Sequence, residues 1–116
     1  MFATTVDEIP LASELGTQYT EGQIQSLVTK YAFKYNVSSI KMMKTIKCES
    51  QYKNVQSNYI KNGIREDSWG ISQINLYYNP EITKDQTLDP EFAIKFMAES
   101  FSRGQAKKWS CYRLLY

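Results

Sequence analysis

Apolar residues recur at helical spacing in the first half of this chain, and that period limits the folds it can adopt. In the first stretch they occupy positions i, i+3, i+4 and i+7, as Ile24, Leu27, Val28 and Tyr31. This spacing places four apolar side chains on one face of an α-helix, which must be buried against another element. Thr20 is a suitable N-cap. The helix is predicted to end near Tyr35-Asn36, because Asn tolerates the left-handed conformation at a helix C-terminus.

A second amphipathic helix, capped by one of the two serines at 38 and 39, is predicted to run to about Glu49–Gln51. Met42 and Ile46 lie on its apolar face, and Glu49 follows on the same face. A carboxyl group there is costly to ionise, so its pKa is expected to be raised, as a general acid working near neutral pH requires. The alternative is a solvated glutamate at a helix end, and periodicity alone does not distinguish the two.

The middle of the chain is predicted to consist of loops around one short helix. The polar segment 52–68 is predicted to be a surface loop with a turn or short hairpin at Asn62-Gly63. A short helix is predicted around 70–76. The segment 77–88 contains Asn79-Pro80 and is predicted to be a loop.

A third long helix is predicted to begin where Asp89 can act as N-cap and Pro90 occupies the first position. Its buried face is predicted to consist of Phe92, Ala93, Phe96, Met97, Ser100 and Phe101. The helix is predicted to end at Gly104. The remaining segment, 109–116, is expected to pack against the body of the protein or to fray.

A length of 116 residues corresponds to one domain. We expect residues 1–19, which lack periodicity, to form a loosely ordered arm with a short helix at 10–15, and residues 20–116 to form the domain. No stretch approaches the ~20 apolar residues of a membrane span, and the N-terminus lacks the basic start and apolar core of a signal peptide. If the protein is exported, we expect either that its signal peptide is missing from this chain or that its export uses another route.

Composition excludes several classes of function. The chain has no histidine, which rules out His-assisted nucleophilic triads and His-rich zinc sites, and its two cysteines cannot build a four-thiolate site. No metal or other cofactor is expected.

The formal net charge is only +2 and no run of five basic residues occurs, so nucleic-acid binding is not expected. Cys48 and Cys111 form either one disulfide, which would indicate an oxidising compartment, or two inert thiols.

Two short motifs carry chemical meaning: Cys48-Glu49-Ser50 at the end of the second helix, and Trp69–Asn75 after a polar loop. Their order, spacing and helical context resemble the lysozyme-like lytic transglycosylase family over about residues 24–112. Members of that family show a Glu-Ser pair closing one helix, and later a Gly, an apolar residue, a variable residue, a Gln and an apolar residue. Here these are Glu49-Ser50 and Gly70–Ile74.

The resemblance implies a mainly α (α+β) lysozyme-like fold with a substrate cleft beside the Glu49 helix. It also implies cleavage of the β-1,4 bond between N-acetylmuramic acid and N-acetylglucosamine in peptidoglycan. Glu49 would protonate the glycosidic oxygen and then deprotonate the muramic 6-hydroxyl, giving a 1,6-anhydro product. Cys48 and the ending Trp109-Ser110-Cys111 resemble the exported subset, in which the two cysteines pair. An extracytoplasmic protein, whether secreted, periplasmic or virion-associated, is therefore expected.

Further site residues are implied by the same motifs. Ser50 would hydrogen-bond near the acid or the sugar, or it would simply end its helix. Gln73 would contact N-acetyl groups of the substrate or orient Glu49. Gly70 would allow a close backbone approach or a tight turn, and Trp69 would either stack on a sugar or form a wedge between helices.

One segment departs from the family pattern. Many members carry Ala-Tyr-Asn-x-Gly in the later helix, with the Tyr and Asn beside the catalytic Glu. This chain has Ala98–Gly104, in which no hydroxyl or amide matches that pair. Either the chain belongs to a divergent branch, or Tyr77, Tyr78 or Tyr112 supplies the contact, and Tyr78 is taken here as a substrate-binding residue.

A second carboxylate would decide between two reactions. Asp67 and Glu66 precede the Trp-Gly motif and either face the cleft or are solvated loop acids. If Asp67 positions a water molecule, the enzyme would be a hydrolytic muramidase; if it does not, the anhydro product is expected. The rival outside enzymes is a catalytically inactive cell-wall-binding or structural module of the same fold, such as a component of a secretion or phage-tail assembly.

Overall fold

The computed structural model describes residues 16–116, in which five α-helices surround two small hairpins. The helices are α1 (Glu21–Tyr35), α2 (Ser39–Ser50), α3 (Lys84–Thr87), α4 (Pro90–Ser102) and α5 (Ser110–Leu115). The strands are β1 (Ile60–Lys61), β2 (Ile64–Arg65), β3 (Ser68–Trp69) and β4 (Ile74–Asn75), and a 3-10 turn, Ala106–Lys108, precedes α5. The fold class is therefore broadly α+β. The predicted helix at 10–15 lies outside the described residues.

The ends of α1 and α4 follow the local signals in the sequence. Thr20 and Gln23 form a capping box at the start of α1, in which each side chain accepts a hydrogen bond from the other residue's backbone N–H. The same helix ends at Asn36, which has a left-handed φ of 56°. The side chain of Asp89 caps α4, and Pro90 stands in its first turn. These predictions are confirmed.

The hairpin predicted at Asn62-Gly63 is present, but the helix predicted around 70–76 is wrong. Asn62 and Gly63 have φ values of 54° and 77°, which suit the two-residue turn that joins β1 and β2. In the second segment, β3 and β4 pair antiparallel instead of forming a helix. Gly70 and Gln73 between them have φ values of 85° and 55°, a left-handed conformation that an α-helix does not contain.

Two further segments are more regular than their composition indicates. The predicted loop over 77–88 contains α3, which begins with a capping box between Thr83 and Gln86. The segment 109–116 forms α5 rather than fraying. Both helices are short, so hydrophobic periodicity over their length carries little signal.

The core lies between α1, α2 and α4. Its buried apolar residues are Ile24, Val28, Tyr31, Ala32, Met42, Met43, Ile46, Ile71, Ile94, Met97, Ala98 and Trp109. The face of α4 that is most buried is rotated from the predicted one, toward Ile94 and Ala98. Phe92, Phe96 and Phe101 are consequently only half-buried, and Phe96 takes part in the cleft described below.

A disulfide joins the end of α2 to the start of α5. It links Cys48 to Cys111, whose Cα atoms lie 5.9 Å apart, across a sequence separation of 63 residues. Of the two alternatives for these cysteines, the disulfide is therefore confirmed. In the part of the chain from 16 to 116, no helix has the length and apolar content to cross a membrane.

Candidate active site

A cleft of about 670 Å³ opens beside the end of α2. Ile74, Phe96 and Trp109 are its apolar lining residues; Ile74 and Trp109 are almost fully buried and so lie at its base. The polar and charged lining residues are Glu49, Glu66, Ser68, Gln73, Asn75, Asn79, Lys108, Ser110 and Arg113. An apolar base with polar groups around it is typical of a site that binds a small molecule.

The cleft continues past Glu49 into a second hollow of about 330 Å³. Glu49, Tyr59 and Gln73 line both spaces, so the two adjoin at these residues and together are called the groove. The carboxyl group of Glu49 therefore lies within the length of the groove rather than at its edge. A chain-like ligand in this groove would have units on both sides of that group.

Glu49 is the second-last residue of α2, and its side chain reaches the first turn of α5. The carboxyl Oε2 accepts a hydrogen bond of 3.0 Å from the backbone N–H of Cys111 and a longer one, of 3.5 Å, from the Ser110 hydroxyl. Glu49 thereby satisfies an N–H and an O–H group at the start of α5, whose N-cap residue makes no side-chain hydrogen bond. Glu49 is half-buried as a result, so the solvated alternative does not hold.

The pKa of the Glu49 carboxyl is raised above its ordinary value. Burial is the main cause, because a carboxylate loses hydration when it leaves water. The Cys111 N–H opposes this and lowers the pKa, the negative charge of Glu66 raises it, and Ser110 and Arg113 lower it. The net direction is the one that the position of Glu49 on the apolar face of α2 predicts.

Ser50 and Gln73 connect α2 to the β3–β4 hairpin. The Ser50 hydroxyl donates to the carbonyl of Ile71 at 2.7 Å and lies 3.2 Å from that of Ile46. Its partners are thus backbone carbonyls, and it joins helix to hairpin rather than bonding the acid. The Gln73 amide donates through Nε2 to the carbonyls of Val55 and Gly70, at 2.9 and 2.8 Å. Gln73 lines both parts of the groove, beside Glu49.

Gly70 allows the close backbone approach expected of it. Its φ is 85°, and a Cβ atom placed there would lie 1.9 Å from the carbonyl oxygen of Thr87. The hairpin that carries Gln73 can therefore rest directly on the end of α3. No side chain at position 70 is compatible with that contact unless the backbone moves.

We expect Gly70→Ala to lower the free energy of unfolding by about 3 kcal/mol or more, since it combines left-handed strain with a backbone clash. Urea denaturation followed by circular dichroism measures the loss. Gly63→Ala is the matched control: Gly63 has a φ of 77° with nothing within 4 Å of its Cβ position. It should lose only about 1 kcal/mol. Equal losses in the two variants would show that the contact with Thr87 is unimportant.

Trp69 and Asp67 do not lie in the cleft. The Trp69 side chain is only 6% exposed, so it is a wedge and not a stacking platform for a sugar. Its indole N–H donates to Asp67 Oδ1 at 2.7 Å, and Lys84 Nζ lies 4.9 Å from the ring centroid. Asp67 is exposed and engaged with this indole, so it is not the carboxylate that faces the groove. Glu66 lines the groove instead and accepts a hydrogen bond from the Ser68 hydroxyl.

Among the tyrosines considered, Tyr78 lines the cleft. It is 76% exposed and packs edge-on against Tyr77, with ring centroids 4.9 Å apart. Tyr112 packs against Phe101 and away from the groove. Tyr59, just before β1, was not predicted and lines both parts of the groove.

The segment that departs from the family pattern contributes nothing to the cleft. Ala98 and Ser100 are buried in α4, and Glu99 forms an ion pair with Arg103. The residue of α4 that does line the cleft is Phe96. An apolar ring thus stands in the part of α4 that borders the groove.

The C-terminal segment contributes residues that sequence reasoning did not assign to the site: Lys108, Trp109, Ser110 and Arg113. Trp109 is anchored by its indole N–H, which donates to the carbonyl of Ser72 at 2.6 Å. The sequence signal that could have identified these residues was Cys111. A disulfide between Cys111 and Cys48 brings the sequence neighbours of Cys111 close to Glu49.

No group of three or more carboxylate or thiolate side chains within residues 16–116 is arranged to hold a metal ion. Comparison of the chain with protein-family models, with curated proteins and with solved structures finds no match.

Proposed function

We propose that this protein is a peptidoglycan-cleaving glycosidase of the lysozyme-like type, with Glu49 as its acid and base. The observation that carries the proposal is a half-buried carboxyl group inside a groove, with a raised pKa. A raised pKa keeps the group protonated at a pH where an exposed glutamate is ionised, so it can donate a proton to a glycosidic oxygen. The Glu-Ser and Gly-x-x-Gln motifs, which resemble those of lytic transglycosylases, support the same assignment.

The groove suits a glycan strand in shape and in chemistry. Its base offers the half-buried ring of Phe96, which packs edge-on against the buried Trp109, to the apolar face of a sugar. Tyr59 and Tyr78 are exposed at its sides, where a flat ring with a hydroxyl can both stack and hydrogen-bond. Because the groove extends on both sides of Glu49, sugars can lie on both sides of the bond that is cut.

In the first step Glu49 donates its proton to the bridging oxygen, and the bond from that oxygen to C1 breaks. The leaving sugar departs with a new hydroxyl group, and positive charge develops on the ring that remains. Glu49 is now a carboxylate, and the Cys111 N–H, 3.0 Å from its Oε2, stabilises the new charge. Burial favours the protonated form of Glu49 before the proton transfer, and this hydrogen bond favours its carboxylate form afterwards.

In the second step the carboxylate of Glu49 takes up a proton as a nucleophile attacks C1. If the nucleophile is the 6-hydroxyl of the same muramic sugar, the product is a 1,6-anhydro ring and Glu49 regains its proton. If it is water, the product is a reducing end. Lytic transglycosylation is the reaction we favour, since it requires one carboxyl group only.

Hydrolysis is the second candidate, and the place of Glu66 in the groove favours it. Hydrolytic glycosidases generally use two carboxyl groups, one of which activates water or stabilises charge. Glu66 lines the same groove as Glu49 and its charge acts on the Glu49 carboxyl. In this reaction Glu66 takes the role that the sequence assigned to Asp67.

The disulfide supports an extracytoplasmic location, because such bonds persist in oxidising compartments. A glycosidase that acts on peptidoglycan also has to reach the wall from outside the cytoplasm. Both points agree with a secreted, periplasmic or virion-associated enzyme, including one carried by a secretion or phage-tail assembly.

Incubation of the protein with purified cell walls tests the proposal. We expect turbidity to fall and mass spectrometry to detect cleaved muropeptides. Anhydro ends identify transglycosylation and reducing ends, heavier by one water, identify hydrolysis. A protein that pellets with the walls and leaves them intact would be a binding module, and the proposed activity would be wrong.

We expect Glu66→Gln to move the basic limb of the pH–activity profile to lower pH. The negative charge of Glu66 raises the pKa of Glu49, so its removal lowers that pKa, and the acid is lost at a lower pH. The profile of kcat/KM against pH measures the limb independently of any loss in rate. Asp67→Asn removes the same charge one residue away but outside the groove. The basic limb of the pH–activity profile of this variant should stay at the same pH as in the wild type. Equal shifts in both variants would contradict the role given to Glu66.

A further inference from the structure

We propose that the groove recognises a carboxylate on the glycan strand, and that Lys108 and Arg113 bind it. The inference rests on the proposed function for the kind of glycan and adds the charged group that the site selects. It predicts a preference for strands that carry carboxylates over neutral strands of N-acetylglucosamine. The two cations are thereby specificity-determining residues, and they exchange no proton with the substrate.

Both cations are held at the groove by local contacts. Lys108 ends the 3-10 turn, and its Nζ lies 5.3 Å from the ring centroid of Phe96. Arg113, in α5, donates through Nη1 to the backbone carbonyl of Lys107 at 2.5 Å. Both side chains line the cleft that contains Glu49. They thus stand beside the proposed site of cleavage.

Neither side chain forms an ion pair with a carboxylate within residues 16–116, although the charge of Arg113 acts on Glu49 and lowers its pKa. The ion pairs of Lys30 with Glu91 and of Arg103 with Glu99 involve neither of the two cations. Of the two carboxyl groups that line the cleft, Glu49 is held by donors of α5, and Glu66 by the hydroxyl of Ser68. Two cations in one groove attract an anionic ligand and gain hydrogen bonds from it.

Carboxylate is the anionic group that a peptidoglycan strand offers near its β-1,4 bonds. It has two sources: the lactyl group of a muramic sugar without a stem peptide, and the acidic residues of a stem peptide. Arg113 can bind a carboxylate through two parallel N–H groups, and Lys108 through a single charged donor. Both sources present a carboxylate to the groove, so the experiment has to compare wall preparations that differ in these two sources.

Sedimentation of Glu49→Gln protein with cell walls tests the inference without cleavage. We expect walls whose carboxyl groups have been converted to amides to bind about tenfold more weakly than native walls, the scale of one charged hydrogen bond. In the same background Lys108→Gln and Arg113→Gln should each weaken binding to native walls by about tenfold and leave binding to amidated walls unchanged. Lys107→Gln is the matched control, since its side chain does not line the cleft.

Walls from which an amidase has removed the stem peptides lose the stem carboxylates and expose the lactyl carboxylates, so they identify the source. Binding equal to that of native walls assigns recognition to the lactyl group, and binding as weak as that of amidated walls assigns it to the stem. Equal affinity for native and amidated walls, no binding to native walls, or equal losses in the Lys107 control would overturn the inference. Such a result leaves cleavage by the wild-type protein intact, whereas absence of cleavage would end the proposed function and leave this binding result standing.

Discussion

Glu49→Gln is expected to reduce the rate of glycan cleavage by about a thousandfold, because one residue supplies both the proton that leaves and the base that recovers it. Gln keeps the size of the side chain, and its carbonyl oxygen can still accept the Cys111 N–H that now binds Oε2. The loss therefore reflects chemistry rather than the shape of the groove. Release of soluble muropeptides from labelled cell walls measures the rate.

The stability of this variant separates lost chemistry from lost folding. Because folding raises the pKa of Glu49, ionising the group costs the native state stability at a pH above its folded pKa. The cost falls as pH passes down through the folded pKa and disappears below the unfolded pKa, where the carboxyl is protonated in both states. Glu49→Gln should thus be at least as stable as the wild type at neutral pH and lose that advantage in acid. Retained cleavage in a folded variant would contradict the assignment.

Glu81→Gln provides the matched control for the same chemical change. Glu81 is exposed and lies outside the groove. Its replacement should leave both activity and stability close to those of the wild type. A similar loss of cleavage in both variants would point to a general effect of charge on wall binding.

Removal of the disulfide, by Cys48→Ala with Cys111→Ala, is expected to lower the free energy of unfolding by roughly 4 kcal/mol on the chain-entropy model. The bond closes a long loop, with a sequence separation of 63 between its two cysteines, and so restricts the unfolded chain strongly. Urea denaturation of the double variant and of the wild type, each with and without a reductant, measures the difference.

The same change should also reduce activity at temperatures where the variant remains folded. Cys111 supplies the N–H that Glu49 accepts, and the disulfide holds that N–H beside the acid. A reductant should lower the activity of the wild type and leave that of the double variant unchanged. A fully active wild type with free thiols would show that packing alone positions α5.

The long helices could be predicted because their signals are local. Thr20, Asn36 and Asp89 act at helix ends within one turn, and apolar spacing identifies one face over several turns. The β3–β4 hairpin could not be predicted in this way. Gln73 adopts a left-handed conformation, and its side chain donates to the carbonyl of Gly70 in the same turn and to that of Val55, which is distant in sequence.

The groove was predictable only where a motif marked it. Glu49 and Gln73 carry the motifs and line the groove together, and Tyr78 lies there as expected. Asp67 and Glu66 are adjacent in sequence, so their side chains point in different directions along an extended backbone, and sequence alone does not tell which one faces inward. Lys108 and Arg113 reach the site only because α5 folds back onto α2.

The two cysteines enclose both hairpins, α3 and α4 between them. A single cut in the exposed turn at Asn62-Gly63 would therefore leave two fragments that stay covalently attached. Glu49 would be on one fragment and the Cys111 N–H on the other. The disulfide between Cys48 and Cys111 would keep these two groups adjacent. A nicked molecule would therefore keep Glu49 and the N–H group that it accepts from in one covalently linked unit.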